Sequence, residues 1–349
     1  MTTFAVELQN PSTRSFCGLL RWCHTADWLA KHVVPGAEVI VFTNHVDLVQ
    51  RECPRARLLP FDGTLSHIVE RWQKRNREHT AHASTMDAFR RNVAAHKREP
   101  HSRCPSSTLL KWEVINPRHY ANLTHNVILY LDSDVDARFV TSLEALRRYD
   151  FQGKLAEFAA DPHCRLRATP DHMAPVNTGI MLLKPSMSMY REGLALLRTR
   201  VFDLETGFNG TGRPMVALNG TVTGKRAQPL VKKARGYWKD TWDFVCGDGD
   251  QGLFTAMYMA RHQQFCVPKY WDKELRVHHW WGDQKPWYHP ITCAPYFRFL
   301  EPHGDGHPWS GYHLPNLTRI NGVQSCHDYL ERMGRGAGRS CQGRTWPLI

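Results

Sequence analysis

The chain has no run approaching the roughly 20 apolar residues needed to cross a bilayer, so no membrane span is expected. It has no C-x-x-C pair, so its ten cysteines do not read as a zinc site. No internal repeat is present, which sets aside solenoids and propellers. Acidic residues are too few to balance the basic ones, and the net charge is +12. Such an excess suits polyanionic partners or an anionic substrate. However, no helix-turn-helix, zinc-finger or RNA-binding aromatic signature accompanies it. The charge lies mainly between Arg71 and Arg103 and between Lys225 and Arg235, stretches that read as solvated faces. The first residues, Met1-Thr-Thr-Phe-Ala-Val-Glu-Leu8, carry neither a basic n-region nor a long apolar core. A cytoplasmic location is therefore the default expectation. The alternative is the Golgi lumen, suggested by the even cysteine count and by four sequons at Asn122, Asn209, Asn219 and Asn316. Cys53, Cys104, Cys164, Cys246 and Cys266 read as isolated, and Cys326 with Cys341 as the candidate bridge.

What is present is the material of an α/β protein. The 349 residues suffice for one large α/β domain with insertions. Phe4–Leu8 reads as a strand, Phe16–Lys31 as a helix, and Ala37–Thr43 as a second strand after Pro35-Gly36. That spacing is a βαβ unit and predicts a parallel pair. Arg57–Pro60 is a short third strand. Residues 65–105 are polar and basic, expected as helix plus loop in an insertion. Trp112–Tyr120 and Ser142–Tyr149 read as helical, and residues 203–236, rich in Gly, Thr and Lys, as a second insertion or surface hairpin. The expected division is one domain over 1–290, followed by an irregular extension over 291–349.

One short segment concentrates the chemistry. Val127–Leu131 is a continuous apolar run with the content of a buried central strand, and Asp132-Ser133-Asp134 follows immediately. In open α/β sheets ligands bind outside the carboxyl ends of strands. Carboxylates two residues apart on extended backbone point the same way, so both can face one hard divalent cation. Asp136 reads as a loop or cap acid.

Three further stretches keep it company. Val176-Asn177-Thr178-Gly179 is a polar turn feeding a second apolar strand that Pro185 stops. Gly249-Asp250-Gln251-Gly252 opens a helix expected over Leu253–Arg261. His279-Trp-Trp-Gly282-Asp-Gln-Lys285-Pro-Trp287 places an imidazole, a glycine and a lysine within nine residues. Together, YLDSD, NTGIMLLKPS, GDQG and HWWGDQKPW resemble, in order, the signatures of the retaining glycosyltransferases that include glycogenin, galactinol synthase and bacterial galactosyl- and glucosyltransferases, known as glycosyltransferase family 8. The likeness spans residues 127–287. It is thin before about residue 105 and absent after about 290.

The resemblance implies a GT-A type Rossmann-like nucleotide-sugar fold, with a mixed, mostly parallel sheet flanked by helices. It implies Mn²⁺, with Mg²⁺ as the substitute, held by Asp132, Asp134 and His279; imidazole beside carboxylates suits Mn²⁺ better. The donor implied is a UDP-sugar, UDP-glucose or UDP-galactose, in contact with Lys111, Asp132, Ser133, Asn177, Gly179 and Gly282. Lys111 lies 21 residues before Asp132, about five more than the family spacing. By the same likeness Lys285 neutralises the leaving diphosphate, Asp250 holds sugar hydroxyls and Gln251 sits near the anomeric carbon. No second carboxylate nucleophile can be picked out, which favours same-face transfer within an ion pair over a covalent adduct. The acceptor is a hydroxyl on a sugar, polyol, glycan or protein. Two other classes stand beside this reading: a non-catalytic nucleotide-sugar binder of the same fold, and a basic nucleic-acid-binding protein. A third alternative is a transferase using another donor base such as GDP.

Overall fold

The computed structural model describes residues 2–8, 30, 35–82, 106–120, 127–137, 151–168, 174–208, 242–266 and 277–279, apart from 45, 62, 133, 134, 204, 205, 243 and 245. Nine strands are described: β1 Thr2–Leu8, β2 Glu38–Thr43, β3 Arg57–Leu59, β4 Val127–Leu131, β5 Val135–Ala137, β6 Leu166–Ala168, β7 Ile180–Leu183, β8 Phe265–Cys266 and β9 Val277–His279. Seven of them form one sheet in the order β3-β2-β1-β4-β7-β6-β8. The pairs β1·β2, β2·β3, β1·β4 and β6·β8 are parallel, while β7 runs antiparallel to both β4 and β6. This is the expected mixed, mostly parallel α/β sheet. β5 and β9 make a separate antiparallel pair.

The strand order determines where a ligand can sit. From β1 the chain builds outward to β2 and β3, then returns to place β4 on the other side of β1. That reversal leaves a crevice at the carboxyl ends of β1 and β4, where Asp132 emerges. All five residues of β4 are buried, as a central strand covered on both faces requires.

Helices cover the sheet. They are α1 Val46–Glu52, α2 Gly63–His82, α3 Phe151–Ala160, α4 Met187–Thr199 and the short α5 Asp250–Phe254. In α2, Leu65, Ile68, Val69 and Trp72 recur at helical spacing and join the core. α4 begins at Ser186, whose Oγ accepts from Met189 N at 3.4 Å. It ends under Arg75 of α2, whose guanidinium donates to the carbonyls of Leu197 and Arg200; a cation on the last carbonyls favours that terminus. α5 continues into a π-type stretch, Thr255–Arg261, where a single α-helix over Leu253–Arg261 was expected.

The helix expected over Trp112–Tyr120 is instead 3₁₀, in two pieces, Ser106–Ile115 and Pro117–Tyr120. With three residues per turn, side chains three apart eclipse. Leu109, Trp112 and Ile115 form one row, all fully buried. Leu110, Glu113 and Asn116 form a second, and Asn116 donates to Glu113 Oε1 at 2.7 Å. Thr108, Lys111 and Val114 form the third, whose first two members reach Asp250 and Asp132 while Val114 joins the core. Glu113 is buried yet satisfied: His119 Nε2 and Tyr190 OH each lie 2.6 Å from one of its oxygens. Trp112 donates to the Tyr190 carbonyl at 3.2 Å and lies against Gly193, where a Cβ would come within 2.4 Å of the indole.

Two cysteines read as isolated are joined: Cys164 and Cys266 form a disulfide across 102 residues, tying β6 to β8. Sequence distance hid a pairing that neighbouring strands bring together. Cys53 and Cys246 are also disulfide-bonded. The helix expected over Phe16–Lys31 apart from residue 30, the helix expected over Ser142–Tyr149, the sequons, Cys326 with Cys341, residues 291–349, and the 203–236 segment beyond residue 208 lie outside the described residues. Asp136 lies in β5 opposite His278 rather than in a loop.

Candidate functional site

Three separate stretches of chain meet at the end of β4. Asp132 follows the strand directly, and its N–H donates to the Gly179 carbonyl at 2.8 Å, which stitches it to the turn before β7. That turn is closed by Asn177, whose Oδ1 accepts from Gly179 N at 2.8 Å. Asp250 arrives from α5. Its N–H donates to Thr108 Oγ1 at 3.3 Å, and Phe254 packs edge-to-face on Trp112 with ring centroids 4.9 Å apart. The 3₁₀ row carrying Thr108 and Lys111 is thereby held against α5.

Lys111 is the hub. Its Nζ lies 3.0 Å from Asp132 Oδ1, 3.1 Å from Asp132 Oδ2, 2.7 Å from Asp250 Oδ2 and 3.3 Å from Thr178 Oγ1. Its side chain is 5% exposed and that of Asp250 4%, against 22% for Asp132. Thr178 donates to Asp250 Oδ2 at 2.6 Å, and Tyr130 OH donates to Asp132 Oδ1 at 2.6 Å. One ammonium thus serves two carboxylates, leaving these three groups with a net charge of −1. Charge-assisted bonds of this kind are the stronger class.

Two acceptors, one in the cluster and one on the residue beside it, are unused. Asp250 Oδ1 and Gln251 Oε1 are buried and have no hydrogen-bond partner among the described residues. Buried polar atoms are rarely left so, and an orphan acceptor beside a network of fixed donors calls for a ligand that brings hydrogens.

The turn carrying Asp250 is built on close backbone approach. Gly249 N and Gly252 N both donate to the Cys246 carbonyl, at 2.9 and 3.0 Å. A Cβ on Gly252 would fall 1.6 Å from the Gly247 carbonyl oxygen, so no other residue fits there without moving backbone.

Of the residues proposed from sequence, Lys111, Asp132, Asn177, Gly179, Asp250 and Gln251 are brought to this one place. For His279 the backbone register is informative: it pairs with Val135, the residue after Asp134. The two segments carrying the proposed metal ligands are therefore neighbours. Asp134, Ser133, Gly282 and Lys285 lie outside the described residues. Thr178 and Thr108 had no role assigned from sequence, and neither did Tyr130, although it lies two residues before Asp132 and so shares its strand face. Trp242, one of six tryptophans crowded between 238 and 287, is fully buried core.

No family model and no curated protein matches the chain. Among solved structures it is similar to mouse xyloside xylosyltransferase 1 in its apo form, with 11% identity and a TM-score of 0.37 over 77% of this chain and 85% of that one. It is also similar to the galactosyltransferase LgtC in complex with donor and acceptor sugar analogues, with 12% identity and a TM-score of 0.38 over 85% and 93%. A third is the glycosyltransferase GlyE of Streptococcus pneumoniae, with 10% identity and a TM-score of 0.36 over 97% and 65%. At such identities these names say nothing of the donor or acceptor of this chain.

Proposed function

We propose that the chain is a metal-dependent retaining glycosyltransferase that moves a hexose from a UDP-sugar, UDP-glucose or UDP-galactose, to a hydroxyl acceptor. One observation carries the reading. At the carboxyl end of the central strand, a fully engaged lysine holds Asp132 and Asp250 together while Asp250 Oδ1 and Gln251 Oε1 remain buried without donors. A sugar ring supplies several hydroxyl donors at once, and a site built to hydrogen-bond them discriminates against ligands that lack them.

In this reading Asp250 Oδ1 accepts sugar hydroxyls, and Lys111 with Thr178 fixes that carboxylate so the acceptor is aimed before the donor arrives. Gln251 sits at the reaction centre, and Asn177 shapes the turn under the sugar. The donor set suits a divalent cation. Asp132 stands at the end of β4, and the β5·β9 register, which sets the His279 backbone beside the residue that follows Asp134, supports the reading. Two carboxylates and an imidazole are ligands that Mn²⁺ takes. When bound, the cation would neutralise charge on the departing diphosphate. Lys285 adds an ammonium for the same charge, and Gly282 permits close backbone approach. Transfer to the same face of the sugar is the route in this reading, with Asp250 Oδ1 given to sugar hydroxyls and Asp132 to the cation.

No helix of the described residues is long and apolar enough to cross a membrane. The bonded Cys164–Cys266 pair, with Cys53 and Cys246 also disulfide-bonded, favours an oxidising lumen over the cytosolic default.

The test is a donor panel read by melting temperature and by turnover. A ligand raises stability as RT ln(1 + [L]/Kd), so a UDP-hexose with Mn²⁺ is expected to raise the melting temperature where GDP-sugars do not. Asp134→Ala is expected to abolish Mn²⁺-dependent release of UDP with the fold kept. Salt-sensitive binding to DNA or RNA, with no response to any nucleotide sugar, would refute the reading.

A further inference from the structure

We infer that Lys111 is a resident counter-ion that competes with the divalent cation for Asp132, so that a lysine inside the donor site sets how tightly the site takes metal. The inference rests on the functional reading above and concerns how that site is regulated.

The geometry points to competition rather than cooperation. An ammonium has three N–H donors, and Lys111 directs its own at Asp132, Asp250 and Thr178. Both oxygens of Asp132 lie within 3.1 Å of Nζ, and Oδ1 also accepts from Tyr130. A cation ligated by Asp132 must share an oxygen already engaged by a positive charge. It would then lie within a few ångströms of that charge, in a place where solvent screens little because the lysine side chain is 5% exposed. Lys111 cannot simply swing away, since its other partners, Asp250 and Thr178, are themselves buried and bonded to each other.

The consequence is division of labour. In the absence of metal Lys111 keeps Asp132 and Asp250 from repelling one another, so the sugar-binding half of the site is assembled in advance. The same charge penalises a bare divalent cation and favours one whose charge a diphosphate already balances. The site therefore takes metal together with a nucleotide more readily than metal alone.

Mn²⁺ titration of the full chain without nucleotide, followed by the resonance of free Mn²⁺, tests this on wild type, Lys111→Met and Lys111→Arg. Lys111→Met is expected to bind Mn²⁺ about tenfold more tightly or better, because like charge has been removed at short range; Lys111→Arg, which keeps a positive charge, is expected to show no such gain. Unchanged or weaker Mn²⁺ affinity in Lys111→Met overturns the inference while leaving the glycosyltransferase reading intact. If wild type binds no Mn²⁺ even with UDP present, the functional reading and this inference fall together. A second measurement uses the wild-type chain and is independent of how well Lys111→Met folds. The Nζ resonance of ¹⁵N-lysine-labelled protein, assigned by its loss in Lys111→Arg, is expected to shift as Mg²⁺ with UDP fills the site. A signal that stays in place while Mg²⁺ and UDP bind overturns the proposal.

Discussion

Removing the lysine and removing one of its acids should have very unequal costs, although each change breaks the same 2.7 Å ion pair. Lys111→Met leaves Asp132 and Asp250 with no cation between them, the second of these only 4% exposed. Breaking a buried pair so as to strand a charge costs about 3–5 kcal/mol. Asp250→Asn is different, because Lys111 keeps Asp132 at 3.0 Å and the cluster moves from a net −1 to neutrality. Only the charge assistance of the bonds from Lys111 and Thr178 is weakened, a loss of about 1–2 kcal/mol. At about 2–4 °C per kcal/mol for a domain of this size, the first variant should melt roughly 10 °C lower and the second only a few degrees lower. Urea unfolding followed by tryptophan fluorescence, with scanning calorimetry at neutral pH, measures both. If Asp250→Asn proved as costly as Lys111→Met, Lys111 would not be a counter-ion shared by two acids.

Other variants probe the frame around the site. Tyr258 is fully buried, its hydroxyl without a partner among the described residues, so Tyr258→Phe is expected to gain about 1 kcal/mol in urea unfolding. Burial also holds its phenol above the ordinary 10.0. The unfolded chain therefore ionises first, and stability is lost as pH rises beyond that value; in thermal melts from neutral to strongly alkaline pH the variant should show a shallower fall, and an identical fall would contradict the assignment. Replacing Cys164 and Cys266 together by serine opens a link spanning 102 residues, for which chain entropy sets an upper figure of about 4–5 kcal/mol. An unaltered melting temperature would show that the link contributes nothing. Gly252→Ala forces a Cβ to 1.6 Å from the Gly247 carbonyl and should cost upward of about 2 kcal/mol and weaken donor binding. Gly63→Ala, with nothing within 4 Å, should stay within about 0.5 kcal/mol; equal costs for the two alanines would show that the Asp250 turn does not depend on backbone approach.

The sequence alone determined β1 to β4, β7 and the place of the first acid, whereas β5, β6, β8 and β9, each of two or three residues, carry too short a pattern to read. Val39–Phe42 and Val127–Leu131 are apolar runs bounded by turn residues, and such runs have few stable fates other than a buried parallel strand. Where the second run stops, a carboxylate must emerge at the carboxyl end of the sheet, so Asp132 could be placed without coordinates. The polar turn at Asn177–Gly179 was legible as a turn ahead of a strand, and its site role came from the motif resemblance.

Tertiary structure decided which of these residues meet. Lys111 stands 21 residues from Asp132 and 139 from Asp250 in the chain, and it lies on a segment whose helical type is not written in its composition. A 3₁₀ helix rises about 2.0 Å per residue where an α-helix rises about 1.5 Å. Its rows repeat every three residues, which sets Thr108 and Lys111 on one row toward Asp250; resemblance named Lys111, but only the fold shows its partners. The same holds for Cys164 and Cys266, joined only because β8 adds to the edge of β6. Local sequence sets which groups stand at the ends of strands; long-range packing of Trp112 on Phe254 and Gly193 sets the distance between the charges.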